Sequence, residues 1–217
     1  MEGIIYKVQA YQEHARLLFT YTPLGKVTLL AQGSQKLNHQ NRILAQFLTK
    51  ISFKEGKKSF IPLQEAKIMD DYQTIKTEFK ETKSAALMLE IIDHLVVDNA
   101  NHAIIYHELE LALSENNLEL SALSFAIKML QELGYGLDLS PDGRMVKGVS
   151  IKRGSLVYQH ESDSVDLETK DAIVLLKLSV MPYPALQELK DVPLDNIKTF
   201  ISKYYDFHLQ TTLKNLQ

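Results

Sequence analysis

The sequence predicts an α+β chain: a five-stranded barrel over residues 1–80, then an α-helical domain over residues 81–217. Three observations predict it. Short apolar segments separated by turn residues crowd the first seventy positions, a helical apolar period takes over from Glu78 onward, and basic charge gathers at the N-terminal end.

In chain order, Ile4, Ile5, Tyr6 and Val8 make a first strand, and Ala15 to Tyr21, rich in apolar and aromatic residues, makes a second. Thr22-Pro23-Leu24-Gly25 supplies a turn, because proline presets one backbone angle and glycine tolerates positive φ. Lys26 to Ala31 is a third strand, followed by a polar, partly basic loop from Ser34 to Arg42. Leu44 to Phe53 and Ser59 to Lys67 complete the set, with Lys54 to Lys58 as a hairpin-like turn between them. Five short strands with a long loop after the third suit a barrel of the OB type, and suit a small SH3-like barrel less well.

The helical part begins with Ala85, Leu87, Met88, Leu89, Ile91, Ile92, Leu95 and Val96 at helical spacing. Ile104 to Leu113 and Leu120 to Leu130 follow as second and third core-seeking helices, and Gly134 stands where a C-cap is wanted. Ser140 to Gly154 carries Pro141, Gly143, Gly148 and Gly154 and reads as a loop with a short hairpin running to about His160. Helix resumes from Asp166 to Val180 and stops at Pro182 and Pro184, and Leu194 to Leu216 forms a final amphipathic helix.

Composition removes several chemistries. Zero cysteines exclude disulfides, thiolate nucleophiles and thiolate metal sites. No apolar run is long enough for a membrane span and no signal-peptide pattern opens the chain, so a cytoplasmic location is expected. Neither a G-x-x-x-x-G-K-[ST] loop nor a G-x-S-x-G elbow occurs, which argues against an ATPase or a serine hydrolase. His94, His102, His107, Glu108 and Glu110 lie near one another in sequence but lack the second histidine of H-E-x-x-H. They read as surface positions rather than a metal centre, and neither a cofactor nor a catalytic group is expected.

The net charge of -3 conceals a strong asymmetry. Residues 1–60 hold 9 Lys and Arg against 3 Asp and Glu, whereas residues 61–217 hold 15 against 24. A polyanion would be held at the first end and repelled by the second. Arg16, Lys26, Lys36, Arg42, Lys54, Lys57 and Lys58 are the candidate nucleic-acid contacts, with Phe19, Tyr21, Phe47 and Phe53 interleaved among them. Single-strand binders combine cations on the backbone with rings on the bases, but aromatics at strand spacing also fill barrel cores, and both readings stay open.

Those residues carry a resemblance to a known family. Gly3-Ile4-Ile5, Tyr11-Gln12-Glu13-His14-Ala15-Arg16-Leu17-Leu18, Thr22-Pro23-Leu24-Gly25-Lys26 and Ala31-Gln32-Gly33 follow one another in the order found in the bacterial RecO family of DNA repair and recombination mediators. Gln64-Glu65-Ala66, Leu133-Gly134-Tyr135-Gly136-Leu137-Asp138, Tyr205 with His208-Leu209, and Leu213-Lys214 extend the resemblance over nearly the whole chain. It implies a protein without catalytic residues that pairs an OB barrel with a helical domain, binds single- and double-stranded DNA and anneals complementary strands. It further implies work with RecR to load RecA onto DNA coated by SSB, contact with the SSB C-terminal tail, and residence in the cytoplasm near the nucleoid. Lys198, Lys203 and Lys214 on the last helix could rim a groove for that tail, or could be an ordinary exposed helix face.

Two departures matter. Gln32, Gln35, Asn38 and Gln40 stand at four of the roughly six positions that are basic in many relatives, which leaves Lys36 and Arg42. Ser140, Gly143, Tyr158 and Glu161 stand where many relatives carry two zinc-binding cysteine pairs, so a degenerate zinc-finger-like hairpin without metal is expected at about residues 138–162. The thinned loop motivates an alternative, an interaction scaffold that docks RecR or SSB and binds little DNA. A metal-dependent enzyme built on His102 and His107 is a remote third reading.

Overall fold

The computed structural model describes residues 1–56 and 60–217; the candidates Lys57 and Lys58, and part of the expected 54–58 turn, lie outside the described residues. The chain divides into two compact units, Met1–Glu108 and Leu109–Gln217.

In the first unit the order is β1 (Glu2–Tyr11), β2 (Ala15–Thr22), β3 (Gly25–Ala31), α1 (Asn41–Leu44), β4 (Lys50–Ser52), β5 (Ile61–Pro62), β6 (Lys67–Asp70), α2 (Gln73–Thr77) and α3 (Phe79–Leu95). The six strands form one sheet in the order β5-β3-β2-β1-β4-β6. Its two edges are neighbours in sequence. β5 runs parallel to β3 through Leu29 and Leu30, and β6 runs antiparallel to β4 through Lys50 to Ser52. Between them the Leu63 N–H donates to the Leu30 carbonyl at 3.0 Å, and the Gln64 carbonyl accepts from the Lys54 N–H at 3.1 Å. One stretch of chain thus bonds to both edges, and the sheet curls onto it as an OB barrel must.

The expected fifth strand is therefore divided in two. Glu65 has φ 52°, a left-handed conformation that cannot continue an extended run, and it separates β5 from β6. The expected fourth strand is shortened, because Asn41–Leu44 turns helical and Leu48 also takes a positive φ of 52°. Extended pairing starts only where the Ile5 N–H donates to the Thr49 carbonyl at 3.0 Å.

Alternation along the strands sorts the barrel's two faces. Register places Val8, Leu18 and Leu29 opposite one another, and with Ile5, Ala31, Ile51, Phe53 and Ile61 they build the interior. The outer face at the opposite row, Ile4 and Tyr21, is fully buried as well, because α3 packs along β1 and the first turns of α4 (His102–Leu113) reach Tyr21. The Tyr21 hydroxyl meets His102 Nδ1 at 3.1 Å, and the other ring nitrogen of His102 lies 3.0 Å from the Asp98 carbonyl. That places one member of the histidine group in a structural contact. Among the described residues no three His, Asp or Glu side chains converge as a metal would require.

The second unit is arranged around α5 (Leu118–Glu132), whose Asn117 cap accepts from the Leu120 N–H at 3.2 Å. α6 (Thr169–Val180), a 3-10 helix Tyr183–Leu189 and α7 (Asp195–Leu209) pack against it. Buried hydroxyls join these helices: Ser124 donates to the Leu178 carbonyl at 2.7 Å and Tyr205 to the Ala126 carbonyl at 2.6 Å. The last helix ends at Leu209 rather than Leu216. Gln210 takes a left-handed cap with φ 51°, and a separate 3-10 turn follows at Lys214–Leu216.

A three-stranded sheet completes the unit, with β7 (Val146–Ser150) between β8 (Ser155–Tyr158) and β9 (Leu167–Glu168). Of the four positions Ser140, Gly143, Tyr158 and Glu161, three are joined by polar contacts. Tyr158 donates from its hydroxyl to the Ser140 carbonyl at 3.4 Å and from its N–H to the Glu161 carboxylate at 3.1 Å. Arg144 lies 3.8 Å over the Tyr158 ring and pairs with Glu161 at 2.9 Å, and Arg153 reaches the same carboxylate at 2.6 Å. These bonds hold the Glu161 carboxyl below its usual range, the Tyr158 N–H most strongly.

Among the described residues, no helix is long and apolar enough to cross a membrane.

Two substitutions test the packing, one in each unit. A Cβ on Gly3 would stand 2.6 Å from Thr20 Cγ2 and 2.8 Å from the Tyr21 carbonyl oxygen. Gly3→Val should therefore lower stability by about 1–3 kcal/mol, read as faster hydrogen exchange at the Leu18 and Leu29 amides. Tyr205→Phe removes a donor from a fully buried site and should lower stability by about 1 kcal/mol, read at the Phe125 and Ala126 amides.

Candidate nucleic-acid interface

Residues 14–54 contain six cations, Arg16, Lys26, Lys36, Arg42, Lys50 and Lys54, and no carboxylate. The fold sorts them. Lys26 sits at the start of β3, where its ammonium donates to the Asp93 carbonyl at 2.9 Å and lies 5.9 Å from the Tyr6 ring centre. Burial lowers its pKa, partly offset by the Asp93 and Asp98 charges. Burial, with the Asp93 charge, also pushes the Tyr6 hydroxyl up to about 12. Lys7, not among the candidates, pairs with the Asp93 carboxylate at 3.1 Å and lies over the Phe19 ring.

Arg16 behaves differently from a surface arginine. Strand alternation gives it the same face as Leu18, opposite Ala31, so it lies on the side of the sheet that lines the barrel. Its guanidinium donates to the Ala45 carbonyl at 3.1 Å and ties the loop after β3 to the barrel mouth. Lys54 pairs with Glu65 at 2.7 Å, and Lys50 pairs with Glu2 at 3.2 Å. The Glu65 bond raises the Lys54 pKa. Lys36 and Arg42 alone of the six make no side-chain hydrogen bond or ion pair with any described residue, and both are exposed.

Both stand on the 32–45 loop, whose backbone is held at many points. Gln35 donates from its side-chain nitrogen to the Ala15 carbonyl at 2.6 Å and to the Gln12 carbonyl at 3.2 Å, and its N–H donates to the His14 carbonyl at 3.3 Å. Ser34 donates to the Ala31 carbonyl at 2.7 Å, and the Asn41 side chain donates to the Gln32 carbonyl at 2.8 Å. Successive turns follow, with the N–H groups of Lys36, His39 and Arg42 bonded to the carbonyls of Gly33, Lys36 and His39. Gly33 takes φ +71° with the His39 ring where a Cβ would stand, a conformation and a closeness that favour glycine. The loop is an ordered platform on the barrel mouth. Its polar residues supply the order: Gln35, which sequence reasoning counted as a lost cation, is the main tie to the β1–β2 turn.

The aromatic candidates divide as well. Tyr21 and Phe53 are buried, whereas Phe19 and Phe47 are half-buried. The large exposed side chains near the two open cations are aliphatic, Leu37 and Ile43. Sequence reasoning missed them, although an aliphatic residue directly beside each cation of an acid-free loop was a signal available to it.

The family model described as Recombination protein O C terminal matches residues 77–217. A DNA repair protein RecO of Clostridium acetobutylicum is 23% identical over 227 residues, covering 98% of this chain and 85% of that protein. Those of Oceanobacillus iheyensis and an Exiguobacterium species are 19% and 23% identical, covering 95% and 96% of this chain and 86% and 88% of theirs. With well over half of its length matched by the family model, the chain belongs to the recombination protein O family, the DNA repair proteins RecO.

Proposed function

We propose that this protein is a non-catalytic recombination mediator that binds single- and double-stranded DNA and anneals complementary strands through the 32–45 loop of its barrel. With RecR it promotes loading of RecA onto SSB-coated DNA, touching the SSB C-terminal tail, in the cytoplasm at the nucleoid. The observation that carries this reading is the combination of two exposed cations without a side-chain partner among the described residues, Lys36 and Arg42, with a stretch of forty-one residues free of carboxylates. Annealing requires two polyanions to approach one another, and an ordered cationic loop lowers their repulsion without first paying to order itself.

Lys36 and Arg42 are the principal phosphate contacts in this reading. Arg16, Lys26 and Lys54 contribute mainly by holding the barrel, since each already has a partner inside the first unit. Lys57 and Lys58 extend the basic stretch on sequence grounds alone. The internal engagement of those three cations also favours a second reading, in which the barrel docks RecR or SSB and DNA contact is residual.

Salt dependence separates the two. For single-stranded DNA, the plot of log binding constant against log salt should lose about 1.4 of its slope in the Lys36→Ala/Arg42→Ala double variant, about 0.7 for each phosphate contact. Lys54→Ala should leave the slope close to the parent's. A slope unchanged in the double variant, with RecR association intact, would favour the scaffold.

A further inference from the structure

Leu37 is 79% exposed and Ile43 is 63% exposed, the one directly after Lys36 and the other directly after Arg42. Single exposed aliphatic residues are common on protein surfaces, so exposure alone would mean little. Three further observations distinguish this pair. The loop that carries both has its backbone fixed by the bonds of Gln35, Ser34, Asn41 and Arg16, so the side chains project from an ordered support. The surrounding stretch has no carboxylate from residue 14 to residue 54. Of the four candidate rings, Tyr21 and Phe53 are buried and Phe19 and Phe47 half-buried, so none is as open as Leu37 or Ile43.

We infer that Leu37 and Ile43 contact the bases of a bound single strand, while Lys36 and Arg42 hold the adjoining phosphates. The inference rests on the DNA-binding reading and adds a base-contacting element to it. A single strand offers both features that the loop lacks: a line of negative charge and flat apolar faces. Aliphatic side chains set beside a phosphate contact insert between bases and unstack them in architectural DNA-binding proteins. The open charge here is all of one sign, which matches a continuous line of phosphates more closely than the charge-depleted centre of a protein interface.

The probe is an oligodeoxythymidylate with a single 2-aminopurine, whose fluorescence rises when its neighbours no longer stack on it. The parent protein should bind it with a rise in fluorescence. Leu37→Ser/Ile43→Ser should weaken binding by about tenfold and abolish the rise, while the slope against log salt stays at the parental value, because phosphate contacts are untouched. Thermal unfolding should coincide with the parent's, since neither side chain is buried, and Leu37→Phe/Ile43→Phe should restore both affinity and fluorescence. Parental affinity and fluorescence in the serine pair would overturn the inference and leave the DNA-binding reading standing. The same holds if the serine pair loses only self-association in sedimentation. A parent protein that does not bind the oligonucleotide at all would overturn both.

Discussion

The first unit depends on a closure. Residues 61–70 border β3 through Ile61 and Pro62 and border β4 through Lys67 to Asp70, so one short piece of chain occupies both edges of the sheet. Holding both edges with one short segment fixes the curvature on which the interior of Ile5, Leu18, Leu29 and Ile51 depends. It also defines a mouth, formed by the β1–β2 turn and the end of β3, against which the 32–45 loop can be tied.

With the barrel closed, charge and order divide the remaining tasks. The outer row at Ile4 and Tyr21 is covered by α3 and the first turns of α4, and Lys7 and Lys26 converge on Asp93 there. At the mouth, Arg16 and Gln35 spend their hydrogen-bonding capacity on the Ala45, Ala15 and Gln12 carbonyls, which leaves Lys36 and Arg42 projecting from a support that is already shaped. A loop with more cations would attract a polyanion from farther away, but mutual repulsion would loosen it. Gln35 contributes preorganisation rather than long-range attraction. The hairpin of the second unit is likewise held by side chains, with Arg144, Arg153 and Glu161 joining segments around Tyr158 through ion pairs and a cation–π contact.

Much of the fold could be read from local pattern. The first three strands, the Thr22–Gly25 turn and α3 to α7 announce themselves because period, turn residues and caps act over a few neighbouring positions. Errors arose where distant contacts decide. The break at Glu65 and the helical turn at Asn41–Leu44 follow from how residues 61–70 must bond to β3 and β4 and from how the loop returns to Ala45. No short-range signal carries that requirement.

The sequence by itself determined the first three strands and the run of helices α3 to α7, the segregation of positive charge into the first sixty residues, and the motif order shared with the RecO family. These are properties of composition and neighbour spacing, which need no coordinates. Tertiary structure alone decided which cations are open. In sequence Arg16, Lys26, Lys36, Arg42 and Lys54 are equivalent, but strand alternation turns Arg16 inward, α3 brings the Asp93 carbonyl to Lys26, and barrel closure brings Glu65 to Lys54. The same is true of the apolar residues. Whether Tyr21 or Leu37 meets solvent depends on what packs over it, and that is set by contacts between segments tens of residues apart.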